Sequence, residues 1–204
     1  MIQYPYDTIL KYRKMILDAV RNIENNERNA NLKCKCKAGC DKCCSDLILV
    51  CPDEAVMVVQ ELITMPDSQV ERIRKRTLEQ AGILESNGIT IKNVKEIVDR
   101  GNPGEIIELK DKYYNLQLPC VFLEDHKCSI YSVRPTDCWT YRQYISSENC
   151  VKGPAREGCY CYKEYENQFI FCLNHSMHPG YEFISNTFAP LPLLVKKYMM
   201  WNEE

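Results

Sequence analysis

Apolar residues return every three or four positions along much of the chain, and no stretch sustains the strict alternation of a surface strand. Ile9, Tyr12, Ile16, Ala19 and Ile23 place one apolar stripe on a first helix, with Asp7 as its N-cap and its end near Asn25. Residues 1–30 are therefore read as an N-terminal helix, and the polar stretch Asn25–Asn31 as its exit loop. Leu47–Val50 is a short apolar run that reads as extended and buried. Cys51-Pro52-Asp53-Glu54 carries proline and acidic groups where a helix start favours them. Val56, Val59 and Ile63 then give that second helix its apolar face. Ser68 and Glu71 fit a capping box for a third helix through Val70, Ile73, Thr77 and Leu78, ended by Gly82 or Gly88. Thr90 opens a short helix through Val94, Ile97 and Val98, closed by Gly101 and Pro103. Glu105–Leu118 fits a helix or a strand equally well. Tyr162, Tyr165, Phe169 and Leu173 suggest a further helix. Residues 187–204 hold a last one, from about Pro192 through Trp201, whose Leu193, Leu194, Tyr198 and Trp201 dock on the body or on a protein or peptide partner.

The chain has 204 residues, 45% of them hydrophobic and 26% charged, which suits one soluble domain over 1–204. A net charge of -2 argues against a generally nucleic-acid-binding surface. No apolar run approaches the length that spans a bilayer, and the N-terminal residues lack the basic start and apolar core of a signal peptide. A cytoplasmic location with reduced thiols is the expectation. In that compartment clustered cysteines bind metal or do redox chemistry.

Cysteine changes the picture most. There are 13, an odd number, so a monomer cannot pair them all as disulfides. Cys36, Cys40, Cys43 and Cys44 fall within nine residues, with Cys34 just upstream and Gly39 supplying the freedom a tight turn needs. Lys33, Lys35, Lys37 and Lys42 interleave with them and either offset thiolate charge on a bound ion or are simply solvated. A second group, Cys120, Cys128 and Cys138, is spaced by eight and ten residues, and Arg134-Pro135 forces a non-helical step before a helix near Cys138. A third group comprises Cys150, Cys159, Cys161 and Cys172. Cys159 and Cys161 share one face if that segment is extended. His175 and His178 have a metal-like spacing in what reads as a surface loop, and His126 reads as a loop residue. Cys36-x3-Cys40-x2-Cys43 has the cysteine spacing of radical S-adenosylmethionine enzymes. Lys42 stands where those normally carry an aromatic, and the strand–helix alternation of their barrel is missing.

At its two main clusters the sequence resembles the YkgJ-type cysteine-cluster family, whose members are described as zinc- or iron-chelating proteins. One signature is a spaced cysteine pair followed by two adjacent cysteines, here Cys36, Cys40, Cys43 and Cys44. The other is Cys120-Val-Phe-Leu123, then Cys128-Ser-Ile-Tyr131-Ser-Val-Arg134-Pro135-Thr-Asp-Cys138. The resemblance implies an eighth cysteine, for which Cys161 is the first candidate and Cys159 the second. Two departures stand out: three residues rather than two separate Cys36 from Cys40, and Trp139 replaces the arginine common after the last motif cysteine. Flagellin lysine N-methylases carry a similar cluster, which implies a modifying-enzyme role by analogy.

The expectation is a mainly α, small helical domain with irregular cysteine-rich metal-binding loops. Its ligands are Cys36, Cys40, Cys43, Cys44, Cys120, Cys128, Cys138 and Cys161. Four thiolates suit zinc or an iron–sulfur cluster, and the abundance of thiols over histidines favours 4Fe–4S. The role is redox or assistance to a protein-modification reaction; the alternative is a zinc-stabilised, non-catalytic interaction module. The loops of the two clusters are expected to lie side by side, because each alone offers too few well-spaced thiols.

Overall fold

The computed structural model describes residues 6–37, 39–151, 157–162 and 188–201. The fold is mainly α. Helix α1 spans Tyr6–Asn29 and buries Tyr12, Ile16 and Ile23 along one stripe. It has already begun at Tyr6, so Asp7 lies inside it rather than capping it. It also runs on past Asn25, through most of the stretch expected to be an exit loop. Asparagine is a poor helix former, but tertiary contacts override propensity. Glu27, in the last turn, is buried against Arg142 at 3.3 Å and the Tyr144 hydroxyl at 2.9 Å.

Helix α2, Pro52–Ile63, is the centre of the molecule. Pro52 needs no backbone partner at the first position, and the Cys51 N–H donates to Glu54 Oε2 at 3.1 Å. The expected single apolar face is an understatement: every residue from Pro52 to Gln60 is buried, as is Leu62, whereas Ile63 is 49% exposed. The cause is position, since α2 packs against the 3-10 turn Tyr131–Val133 and the C-terminal helix α7, Leu191–Met199. Leu193, Leu194 and Val195 of α7 are buried, so this tail docks on the body.

Helix α3, Asp67–Ser86, follows an extended Pro66 and starts without a side-chain cap, so the Ser68–Glu71 box is not used. It passes through Gly82 and ends before Gly88. Helix α4, Ile91–Arg100, is capped by Thr90 Oγ1, which accepts from the Asn93 N–H at 3.1 Å, and is closed by a left-handed Gly101. The ambiguous stretch after it is helical: α5, Pro103–Asn115, begins at an Asn102 cap that accepts from the Gly104 N–H at 2.9 Å. Leu84, Ile89, Val94, Leu109, Tyr113 and Leu193 form a satellite cluster among α3, α4, α5 and α7. The main cluster gathers Tyr12, Met57, Ile73, Phe122, Trp139 and Leu194 around α2.

Three short antiparallel pairs complete the described chain. β1, Leu49–Val50, pairs with β6, Ala189–Pro190, and so anchors the start of α7 beside the run Leu47–Val50. β2, Leu123–Glu124, pairs with β3, Lys127–Cys128. β4, Tyr141–Gln143, follows the short helix α6, Thr136–Thr140, and pairs with β5, Cys159–Cys161. Among the described residues no helix is long and apolar enough to cross a membrane. Of the helix expected through Tyr162, Tyr165, Phe169 and Leu173, only Tyr162 is described, and it follows β5 without helical structure; the rest, with Cys172, His175 and His178, lies outside the described residues.

Gly158, just before β5, has φ +77, and a Cβ there would lie 2.5 Å from Ile145 Cγ1 and 2.7 Å from Gln143 Oε1. Its carbonyl accepts from the Tyr144 N–H at 2.9 Å. Left-handed backbone costs an L-residue about 1–2 kcal/mol, and the clash adds to it. Gly158→Ala is expected to lower the thermal midpoint by several degrees in a melting experiment.

Candidate metal centre

The first cysteine loop is a chain of tight turns. The Cys40 N–H donates to the Lys37 carbonyl at 3.0 Å, and Gly39 takes φ +82, the positive value a type II turn asks of its third residue. The Cys44 N–H donates to Asp41 at 2.8 Å, and the Asp46 N–H to Cys43 at 3.1 Å. Lys42 pairs with Glu148 at 3.4 Å, while Lys33, Lys35 and Lys37 are exposed to solvent.

The second group hangs from the β2–β3 hairpin. Its two central residues, Asp125 and His126, have φ of 47° and 62°, the signs that a two-residue type I′ turn requires. Glu124 fastens the hairpin to α3 through Gln69 at 2.9 Å, Arg72 at 3.2 Å and Arg76 at 3.2 Å. Beyond it, the Arg134 guanidinium lies over the Tyr131 ring, 4.0 Å from its centre. This cation–π contact gives a physical reason for the Tyr-x-x-Arg part of the second motif. Pro135 then breaks the backbone, and α6 starts with Cys138 in its first turn. The start of α6 is held from below. Glu54 Oε1 accepts from the Thr136 N–H at 2.8 Å and from its hydroxyl at 2.5 Å.

These segments meet. The Cys120 N–H donates to the Cys44 carbonyl at 2.6 Å, and His126 Nδ1 lies 2.6 Å from Asp41 Oδ2. The His126 contact holds the Asp41 carboxyl below its ordinary range. Cys138 is within electrostatic reach of Cys120, Cys128 and Cys43, and Cys36 of Cys43. The fully buried Tyr12 of α1 faces the same region, close to Glu54, Cys51 and Cys138. Thus Cys43, Cys120, Cys128 and Cys138 share one neighbourhood, with Cys36 at its edge. The turns place Cys40 and Cys44 on the same loop.

The third group divides. Cys161 Sγ lies 3.6 Å from Thr140 Oγ1, at the end of the helix that carries Cys138. Cys159 Sγ takes a hydrogen bond from Gln143 Nε2 at 3.0 Å and another from the Tyr141 hydroxyl. Gln143 also meets the first loop, since its carbonyl accepts from the Lys35 N–H at 2.7 Å and its backbone hydrogen-bonds the Cys36 thiol. Cys51 and Cys150 are buried.

Burial governs the state of these thiols. It pushes Cys120 up to about 12, with the neighbouring Cys128 and Cys43 adding to it. Burial first, and then the charges of Cys120, Cys128 and Cys43, raises Cys138 well above its ordinary value; burial also raises Cys128. Cys36 is raised chiefly by its hydrogen bond with Cys34, which is itself lowered to about 6 by that bond. Among the described residues no three cysteine, histidine or acidic side chains are grouped tightly enough to hold an ion as they stand. The donor set nevertheless suits a soft or borderline metal: Cys120, Cys128 and Cys138, which burial keeps neutral, stand beside Cys43, and a cation would deprotonate such thiols on binding. Proton release follows from the raised values. At pH 7 the free thiols carry protons, so metal loading should release them into weakly buffered solution and affinity should rise with pH. For the metal-free fold the sign is the reverse. Raised Cys values contribute stability below the ordinary value near 9, and that stability is lost as pH climbs toward about 12. A pH-stat titration of metal-free protein with zinc measures the release directly.

Two features escaped sequence reasoning. Glu54 is not only a favourable charge at a helix start but the anchor of α6; its position three residues after Cys51 signals the bond to the Cys51 N–H alone, and nothing local points to Thr136. Cys34 is not a bystander, since its thiol touches that of Cys36.

A helical scaffold that brings two cysteine loops together through a main-chain hydrogen bond and a side-chain contact defines a cysteine-cluster domain. The chain belongs to the CxxCxxCC family, described as a "putative zinc- or iron-chelating domain", whose sequence model matches residues 35–169. Comparison with curated proteins and with solved structures returns no match.

Proposed function

We propose that the chain binds a thiolate-ligated metal centre, an iron–sulfur cluster of the 4Fe–4S type in preference to zinc, and uses it in redox chemistry or in support of a protein-modification reaction. Cys43, Cys120, Cys128 and Cys138 would hold it, drawing on Cys36, Cys40, Cys44 and Cys161 from the same loops. The observation that carries this reading is the seam between the two motifs, where the Cys120 N–H donates to the Cys44 carbonyl at 2.6 Å. Local turns alone would not require residues 76 positions apart to pair. Nitrogen donors are scarce here: His126 is turned toward Asp41. An all-sulfur set is the ligation of iron–sulfur clusters and of closed zinc sites. Such a cluster supplies one-electron chemistry; closed zinc supplies stability alone.

Metal analysis of anaerobically purified protein, paired with its visible absorbance before and after reduction, tests the proposal. Iron with equimolar-range sulfide and a broad absorbance that bleaches on reduction is the expected result. Colourless protein containing zinc would transfer the chain to the zinc-stabilised interaction module. Protein without either metal would overturn both.

A further inference from the structure

We infer that residues 33–37 form a docking edge for an extended acidic segment of a partner protein, which adds as a strand and sets alternate carboxylates against Lys33, Lys35 and Lys37. The chain makes neither turn nor bend over residues 32–37, and exposure alternates along it: the three lysines are exposed, Cys34 and Cys36 half-buried. That alternation is a strand's, so the three ammonium groups share one face at intervals of about 7 Å. The Lys35 N–H donates to the Gln143 carbonyl at 2.7 Å and holds the segment along β4. It lies on the side of β4 away from β5, because the bonds between those strands run from Tyr162 to Thr140 and from Tyr144 to Gly158 and skip Gln143. Main-chain groups of successive strand residues point to opposite edges, so those of Cys34 and Cys36 point away from β4. Among the described residues neither cysteine makes a main-chain bond there.

The lysine row is uncommitted where other lysines are paired. Lys14 pairs with Asp18, Lys42 with Glu148 and Lys95 with Asp99, but among the described residues none of Lys33, Lys35 and Lys37 has an ion pair or a side-chain hydrogen bond. The carboxylates of the adjoining elements are engaged, Asp41 by His126 and Glu27 by Arg142 and Tyr144. Three cations in a chain of net charge -2, with cysteines rather than aromatics between them, are a poor match for a nucleic acid. An extended polypeptide matches better, because its side chains return to one face at the same interval. Strand addition supplies main-chain bonds, and the facing opposite charges supply selection. The row flanks Cys36 and so brings a partner to the rim of the proposed metal centre, although docking itself needs no metal.

The test uses the full chain and a fluorescent peptide with glutamate at every second position and valine between, read by anisotropy at low and high salt. Saturable binding is expected, weakened by salt and weakened about tenfold in the triple variant Lys33→Ala, Lys35→Ala, Lys37→Ala, which removes three cross-strand charge pairs. The triple variant Lys75→Ala, Lys92→Ala, Lys110→Ala takes the same charge from exposed positions on α3, α4 and α5 and should bind as the parent does. A peptide of the same composition with its glutamates in one block, and one with proline in place of valine, should both bind more weakly, since one loses the interval and the other the N–H donors. Failure of the parent chain to bind, or equal binding of the block peptide or of a single-stranded oligonucleotide, would overturn the docking edge. So would loss of metal from the Lys33, Lys35 and Lys37 variant as complete as from Cys128→Ser, since the row would then serve to balance the centre's charge. A parent chain that binds the peptide but loads no metal would refute the metal centre and uphold the docking edge.

Discussion

Cys128→Ser is expected to lose most of its bound metal and to precipitate where the parent chain stays in solution, and Cys40→Ser to follow it. A serine hydroxyl is a poor replacement for thiolate at neutral pH, and the neighbouring thiols lose the cation that makes their crowding tolerable. The magnitudes favour a large effect. A structural zinc site contributes roughly 10–16 kcal/mol of apparent binding energy, whereas a whole domain is stable by only about 5–15 kcal/mol. Cys51→Ser, which alters a buried cysteine outside both motifs, controls for the general cost of such a change and should keep its metal. Metal content and soluble yield, measured side by side for the three variants, check this.

Glu54→Ala is the second large effect. One carboxylate serves the Thr136 N–H at 2.8 Å, the Thr136 hydroxyl at 2.5 Å and the Cys51 N–H at 3.1 Å, all in a site where Glu54 is 2% exposed. Hydrogen bonds to charged groups contribute about 1.5–3 kcal/mol each, and donors left buried without a partner cost about 1–3 kcal/mol. A loss of roughly 3 kcal/mol or more in denaturant unfolding is therefore expected. Because Thr136 opens the helix that presents Cys138, metal content should fall with it. Lys95→Ala, which removes an exposed pairing with Asp99, should change stability far less.

The helices were legible because their causes are local. Thr90 and Gly101 bracket α4 by capping chemistry, and Tyr12, Ile16 and Ile23 trace the buried stripe of α1. What the pattern hid came from tertiary contacts. Asn25 and Asn26 remain helical because Glu27 beyond them is fixed by Arg142 and Tyr144, residues more than a hundred positions away. The burial of α2 on all sides follows from α7 closing over it, although the unbroken run Ala55–Val59 was a signal for it. At the centre, the motif spacings marked Cys43, Cys120, Cys128 and Cys138, which the fold brings into one neighbourhood. They could not show that main-chain groups of Cys44 and Cys120 join the loops, nor that Gln143 holds Cys159 near the first loop while Cys161 sits by α6. Spacing measures distance along the chain, and these contacts depend on where α2 and the β2–β3 hairpin set the loops.

The claim that one centre draws on both motifs is tested most directly by alkylation of each cysteine, with and without metal, as a chelator is titrated. Metal is expected to slow alkylation of Cys43, Cys120, Cys128 and Cys138 alike, and all four should lose this protection over the same range of chelator. If metal protects Cys43 while Cys120, Cys128 and Cys138 react at the same rate with and without it, the shared centre is contradicted.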